Sequence, residues 1–241
     1  HGRVGHCQAI KALMKKYIVV AGGAGFVGSN LIDFFLKKTN KKILSIDDYS
    51  SGFTRNHIKN SRIKYLKAKT ENIDLILSKY KNQIDSLFHF AEFSRIYQSF
   101  EDFNQCFESN SGGTQAVFKF CLDNKIKLIY SATSATLGNK GKDKNLSPYA
   151  FTKAKNLELL ENLKKWFNFK FEVIYFYNVY GPRQISSGKM ATVIGIFEDQ
   201  YRKGKPLTVV KPGTQTRRFT HIHDTVKVCF EAWKKKKMWP L

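Results

Sequence analysis

The chain has 241 residues, 42% of them hydrophobic, enough for one large domain or two small ones. No uninterrupted apolar stretch approaches the roughly 20 residues that a membrane span requires, and the N-terminus lacks the apolar core of a secretory signal. The net charge of +22, from 41 lysines and arginines against 19 acids, is spread along the chain with no nucleic-acid-reading motif beside it, so it does not imply a nucleic-acid partner.

Residues 1–13 lack a methionine; Met14 reads as a natural start and the segment before it as extra to the fold. Tyr17–Ala21 predicts a buried strand, followed at once by GGAGFVG. Residues 26–38 have helical periodicity and end in lysines, which suit the negative end of a helix dipole. Residues 42–46 predict a second strand, closed by the turn cluster DDYSSG. A short strand over 63–66, a helix over 72–80, a strand over 84–90, a long helix over 104–123 and a strand over 126–130 follow. Ser147 is a good N-cap and Pro148 is pre-shaped for a first helical position, so a helix starts there and leads to the strand FKFEVIYFY. Strands alternating with helices imply an α/β fold, a doubly wound parallel sheet with helices on both faces. After NVYGPRQ the alternation weakens. That places a core domain over 14–180 and a smaller second lobe over 181–241.

At the junction of first strand and first helix stand Gly22, Gly25 and Gly28. Glycines there permit a tight turn, let a pyrophosphate approach the backbone and let helix pack on strand. The helix N-terminus, at Phe26 and Val27, then faces the phosphates. Asp47, about 20 residues on and followed by Asp48, ends the second strand where a carboxylate bonds ribose hydroxyls. Such an acid favours NAD over NADP, whose 2′-phosphate it would repel. The four cysteines, Cys7, Cys106, Cys121 and Cys229, show no C-x-x-C spacing, so reduced thiols and a cytoplasmic setting fit best. The histidines show no H-E-x-x-H, and His221 and His223 lack further ligands; no metal site is expected.

In SPYAFTK, Tyr149 and Lys153 lie four apart and share one helix face. On spacing alone, a surface lysine beside a half-buried tyrosine is the simpler reading. A dinucleotide site changes that, because a nearby ammonium favours the phenolate and makes the pair a candidate general acid/base.

With these motifs the chain resembles the extended short-chain dehydrogenase/reductase family, and within it the nucleotide-sugar epimerase/dehydratase group typified by UDP-glucose 4-epimerase. The resemblance spans residues 16–232 and rests on GGAGFVG, HFAE (89–92), IYSATSATLG (129–138), YAFTK (149–153), NVYGPRQ (178–184) and RRFTHIHD (217–224), all in the family's order. It implies a Rossmann domain that binds NAD and acts on a nucleoside-diphosphate sugar. Tyr149 would be the acid/base, with Lys153 holding the nicotinamide ribose. Counting back from Gly138 puts Thr133 at the catalytic hydroxyl, with Ser134 as its alternative. Phe90, Ala91, Asn110 and Phe176 would line the cofactor; Asn178, Thr192, Val193 and Arg217 would hold the substrate.

The resemblance further implies a homodimer through the helices at 104–123 and 148–168, whose Phe107, Phe118, Phe120, Leu159, Leu160, Leu163, Trp166 and Phe167 exceed one sheet-facing stripe. The Asp-Glu pair of the dehydratases and the extra Glu of the decarboxylases are replaced by Ser134, Ala135 and Thr136. Epimerisation, at C4, therefore fits best. A reductase or dehydrogenase of the same fold and a non-catalytic nucleotide-binding protein are the alternatives. Departures from the family pattern are Glu92 for a small residue, Lys69 and His223 for aspartates, Tyr175 for an arginine, and a short loop before Tyr149. The family's substrate lobe also runs on past this chain's end, so the lobe reads as incomplete.

Overall fold

In the computed structural model, residues 16–235 are described; the segment 1–13 and Cys7 lie outside them. The elements are, in order, β1 (Tyr17–Ala21), α1 (Phe26–Lys38), β2 (Lys42–Asp47), β3 (Ile63–Lys67), α2 (Ile73–Leu77), β4 (Ile84–His89), α3 (Gln98–Glu101), α4 (Phe103–Phe107), α5 (Thr114–Asp123), β5 (Lys127–Thr133), α6 (Pro148–Phe167) and β6 (Phe171–Phe176). There follow β7 (Val179–Tyr180), α7 (Val193–Arg202), β8 (Thr220–His221) and α8 (Ile222–Lys234).

The first six strands form one parallel sheet in the order β3-β2-β1-β4-β5-β6, and β7 pairs with β8 apart from it. Successive side chains of a strand point to opposite faces, and a sheet buried on both needs apolar runs. Accordingly Val19, Leu44, Leu87 and Leu128 pack under α2, α5 and α6, through Leu77, Val117, Cys121 and Leu160. Ile18, Val20, Ile43, Phe88 and Ile129 pack on the other face under α1 and α8, through Leu31, Phe35, Val226 and Cys229. Each fully buried Leu, Ile or Phe contributes roughly 1.5–3 kcal/mol. Because α8 lies on this face beside α1, the described part of the segment from 181 on is divided: α8 covers the sheet rather than a separate lobe. The strand order reverses between β1 and β4, which opens a crevice at the strands' C-terminal ends. Among the described residues no helix is long and apolar enough to cross a membrane.

Three elements differ from expectation in length or in the form of a turn. The strand expected over 126–130 runs on to Thr133, because Ser131, Ala132 and Thr133 continue the pairing with Ile174, Tyr175 and Phe176. Small polar residues here are ladder, not loop. The long helix over 104–123 is present as one continuous helical run, α4, a widened π turn at Glu108–Gly113, and α5. The turn lets Gly113 approach Thr70 so closely that a Cβ would stand 2.3 Å from its Oγ1. The helix at 72–80 is reduced to α2 behind a 3₁₀ turn at Thr70–Asn72. By contrast α6 starts as its sequence demands: Ser147 Oγ accepts from the Ala150 amide at 3.1 Å, and Asn168 closes the helix with φ 53°.

Candidate active site

The turn after β1 has the shape of a phosphate cradle. Gly22 takes φ +82° and lies against β4's end; a Cβ on it would meet the Phe90 carbonyl carbon at 2.7 Å. A Cβ on Gly28 would stand 2.1 Å from Gly22 O, so α1 can approach the turn only through glycine. Gly25 caps α1 without a side-chain hydrogen bond, which leaves the first-turn amides of Phe26 and Val27 to an anion. Asp47 closes β2 at 7% exposure and accepts from the amides of Ala24 and Tyr49, both at 2.9 Å. Burial raises its carboxyl above the usual range against the lowering effect of those amides. Asp48 accepts from Ser50 instead. The absent Cβ atoms, the uncapped helix and the acid beyond them fit a dinucleotide. Among the described residues no group of three His, Cys, Asp or Glu side chains could hold a metal ion.

Across the crevice, α6 carries Tyr149 and Lys153 one turn apart, 8% and 4% exposed. Tyr149 packs with Phe93 and Cys106 against Ala135, two residues beyond Thr133. Thr133 Oγ1 accepts from the Ala135 amide at 3.2 Å, which fixes the hydroxyl at the end of β5, and Ser134 opens the 3₁₀ turn Ser134–Thr136. Lys153 Nζ donates to Ser131 O at 2.6 Å and lies over the Tyr130 ring, 4.7 Å from its centroid. The tyrosine, the lysine and the Thr133 turn are thus gathered at one end of β5.

Lys153 is also ion-paired with Glu92, the residue that stands where the family pattern has a small side chain. The other Glu92 oxygen accepts from Thr114 Oγ1 and Tyr130 OH, both at 3.0 Å, and from Asn156 Nδ2 at 3.1 Å. Burial and the facing Glu92 push the Tyr130 phenol well above its ordinary range. Thr114 Oγ1 also meets His89 Nε2 at 2.9 Å, and burial pushes His89 down to about 4. A carboxylate three residues past the end of β4 is the signal in the sequence, and Asn156, three residues after Lys153, shares its helix face.

The remaining expected residues divide. Phe90 and Phe176 meet as a tilted pair, 5.7 Å between centroids, beside the glycine turn and next to Ala91. Asn110 is fully buried, and its amide is engaged with both backbone groups of Phe93 and with Thr152 Oγ1. It holds the segment after β4 in place rather than facing the crevice. Asn178 donates to Arg218 O at 2.8 Å, Thr192 Oγ1 caps α7 through the Gly195 amide, Val193 is 44% exposed, and Arg217 is exposed and donates to its neighbour's carbonyl. Lys69 is exposed and pairs with Glu108. Arg95 was not anticipated: its guanidinium holds Met190 O in the segment before α7, and it faces Tyr149 electrostatically.

Glycine cradle, strand-end acid and Tyr–Lys pair on this sheet define a nucleotide-cofactor protein of the short-chain dehydrogenase/reductase class. More narrowly, the chain belongs to the NAD dependent epimerase/dehydratase family, whose model matches residues 18–239. It is 30% identical over 227 residues to the uncharacterized UDP-glucose epimerase YtcB of Bacillus subtilis, covering 87% of this chain and 70% of that protein. Similarity to a UDP-N-acetyl-alpha-D-glucosaminuronate decarboxylase of Bacillus cytotoxicus is 27%, covering 92% and 73%. Among solved structures, the UDP-glucuronic acid 4-epimerase of Bacillus cereus, in complex with UDP-glucuronic acid and NAD, matches with TM-score 0.82 and 31% identity over 92% of this chain and 74% of that one.

Proposed function

We propose that this protein is an NAD-dependent epimerase of a nucleoside-diphosphate sugar, acting at C4 through a 4-keto intermediate. The observation that carries the reading is the gathering of Tyr149, Lys153 and Thr133 at the end of β5, opposite the glycine cradle, with Ser134 and Ala135 where an added acid would direct elimination or decarboxylation. Gly22, Gly25, Phe26, Val27, Gly28, Asp47, Asp48, Phe90, Ala91 and Phe176 would hold NAD, which when bound accepts a hydride from C4 and returns it. Tyr149 would take the C4 hydroxyl proton and give it back to the C4 oxygen after the keto sugar has turned over and hydride has returned to its other face, with Thr133 or Ser134 donating to the reacting oxygen. Lys153 would hold the nicotinamide ribose. Asn178, Thr192, Val193 and Arg217, from the second-lobe segment, would take the diphosphate and sugar, an arginine being suited to a bidentate hold on phosphate. Incubation with a panel of nucleotide sugars, read by NMR, tests the assignment. A C4 epimer formed with no change in free NAD(H) is expected; net consumption of NAD(H) would make it a reductase or dehydrogenase, and tight NAD binding without product a binding protein.

Cofactor choice follows from Asp47. NAD is expected to bind at least tenfold tighter than NADP, a difference of roughly 1.4 kcal/mol or more, and Asp47→Ala should narrow the gap. Equal affinities of the two in a titration of the unmodified protein would remove the role given to Asp47.

Assembly is proposed as a homodimer through α4 and α6. Phe118, Phe120 and Leu160 belong to the core and lend nothing to that face, but Phe103, Phe151, Trp166 and Phe167 are 50%, 39%, 62% and 60% exposed. Light scattering at micromolar concentration should give twice the chain mass; a clean monomer would count against the interface. The buried free thiols of Cys106, Cys121 and Cys229 support a cytoplasmic setting.

A further inference from the structure

The crevice contains an acid that the reaction derived above does not use. Glu92 follows an apolar strand, and its side chain is 2% exposed. Its oxygens are held from three elements: Lys153 and Asn156 on α6, Thr114 on α5 and Tyr130 on β5. So many donors on one carboxylate make a built site, and its cation is the lysine of the proposed acid/base pair. A lone ammonium favours the phenolate of a tyrosine one turn away, whereas an ammonium in contact with a carboxylate presents only a dipole, whose field falls off faster.

We propose that Glu92 is a positioning residue that holds Lys153 and cancels its charge at the Tyr149 hydroxyl. The inference rests on the reading of Tyr149 as acid/base. The other groups facing this cluster do not supply the effect near neutral pH. Burial pushes His89 down to about 4, Cys106 up to about 11 and Tyr130 well above the usual phenol range. Arg95, on the segment after β4, is a standing cation towards Tyr149 in every variant considered.

Ultraviolet titration of the phenolate tests this without cofactor or substrate. The Tyr149 step is obtained by subtracting the matching Tyr149→Phe protein, and circular dichroism verifies the fold. Glu92→Gln keeps the shape and removes the charge, so the Tyr149 step should move down by about one pH unit or more. A folded Glu92→Gln protein whose step stays in place would overturn the proposal. Should that variant not fold, Glu92→Gln/Lys153→Gln removes both charges. It should titrate where the unmodified protein does, and a step clearly above it would mean that Lys153 acts uncancelled. Failure of the functional reading is seen separately: Tyr149→Phe would then leave turnover unchanged whatever the titrations give.

Discussion

Tyr149→Phe is expected to lower turnover by roughly 10²-fold or more, the usual scale for loss of a general acid/base, while fold and NAD affinity stay as they are. The separation is possible because the ring, 8% exposed, packs with Phe93 and Cys106 against Ala135, and phenylalanine keeps those contacts. Only the hydroxyl is lost. Calorimetric NAD titration together with steady-state rates on whichever sugar the panel identifies would check both halves. Turnover equal to the unmodified protein would return Tyr149 and Lys153 to the plain reading of a buried tyrosine near a lysine. Lys153→Ala should differ in kind: it removes a proposed ribose contact, so NAD binding weakens too, and it takes the cation away from both Tyr149 and the Glu92 carboxylate, so activity appears at higher pH.

The stability of the fold should fall in mild acid, and His89 should account for much of the fall. The ring is fully buried at the end of β4, Nε2 meets Thr114, and Nδ1 has no partner among the described residues, so a proton would add an unsolvated charge. Burial holds His89 down to about 4, against 6.5 for an unperturbed histidine. The unfolded chain therefore binds a proton below about pH 6.5 that the folded chain refuses until about pH 4, and stability drops as pH falls through that window. Full passage corresponds to roughly 3 kcal/mol, of which about 2 kcal/mol is lost between pH 7 and pH 5. Urea midpoints at those two pH values should differ less in His89→Gln than in the unmodified protein. An equal fall in both would show that His89 does not drive it.

The sheet was legible in the sequence because its strands are short apolar runs punctuated by glycine and polar turns, and β1 and α1 have the bounds that their residues predict. The helix at Pro148 was equally plain, since cap and proline stand side by side. What escaped was non-local. Nothing along the chain says that Ser131–Thr133 find a ladder on β6, or that Asn110 turns inward to hold Phe93 and so widens the helix around it. The glycine turn and the Tyr–Lys pair were readable because each is contained within one short segment. Glu92 and its donors are brought together from positions 92, 114, 130, 153 and 156, and only folding places them side by side. Arg95 is the same case, its partner lying on Met190.

That β5 stays paired with β6 as far as Thr133 and Phe176 has a bearing on how such a protein can be retargeted. Tyr149 and Lys153 sit in the first turns of a long helix, and Thr133 is the last rung of a ladder, so the groups proposed to do the chemistry hang on the frame itself. The residues proposed to grip the sugar nucleotide hang on the appended segment: Thr192 and Val193 begin α7, and Arg217 lies on an exposed stretch before β8. Changes of length or composition there leave the β5–β6 ladder and the long helix of Tyr149 untouched. Diversification of such a chain towards a new sugar can proceed by exchanging upholstery while the joinery, and with it the proton chemistry, is inherited intact.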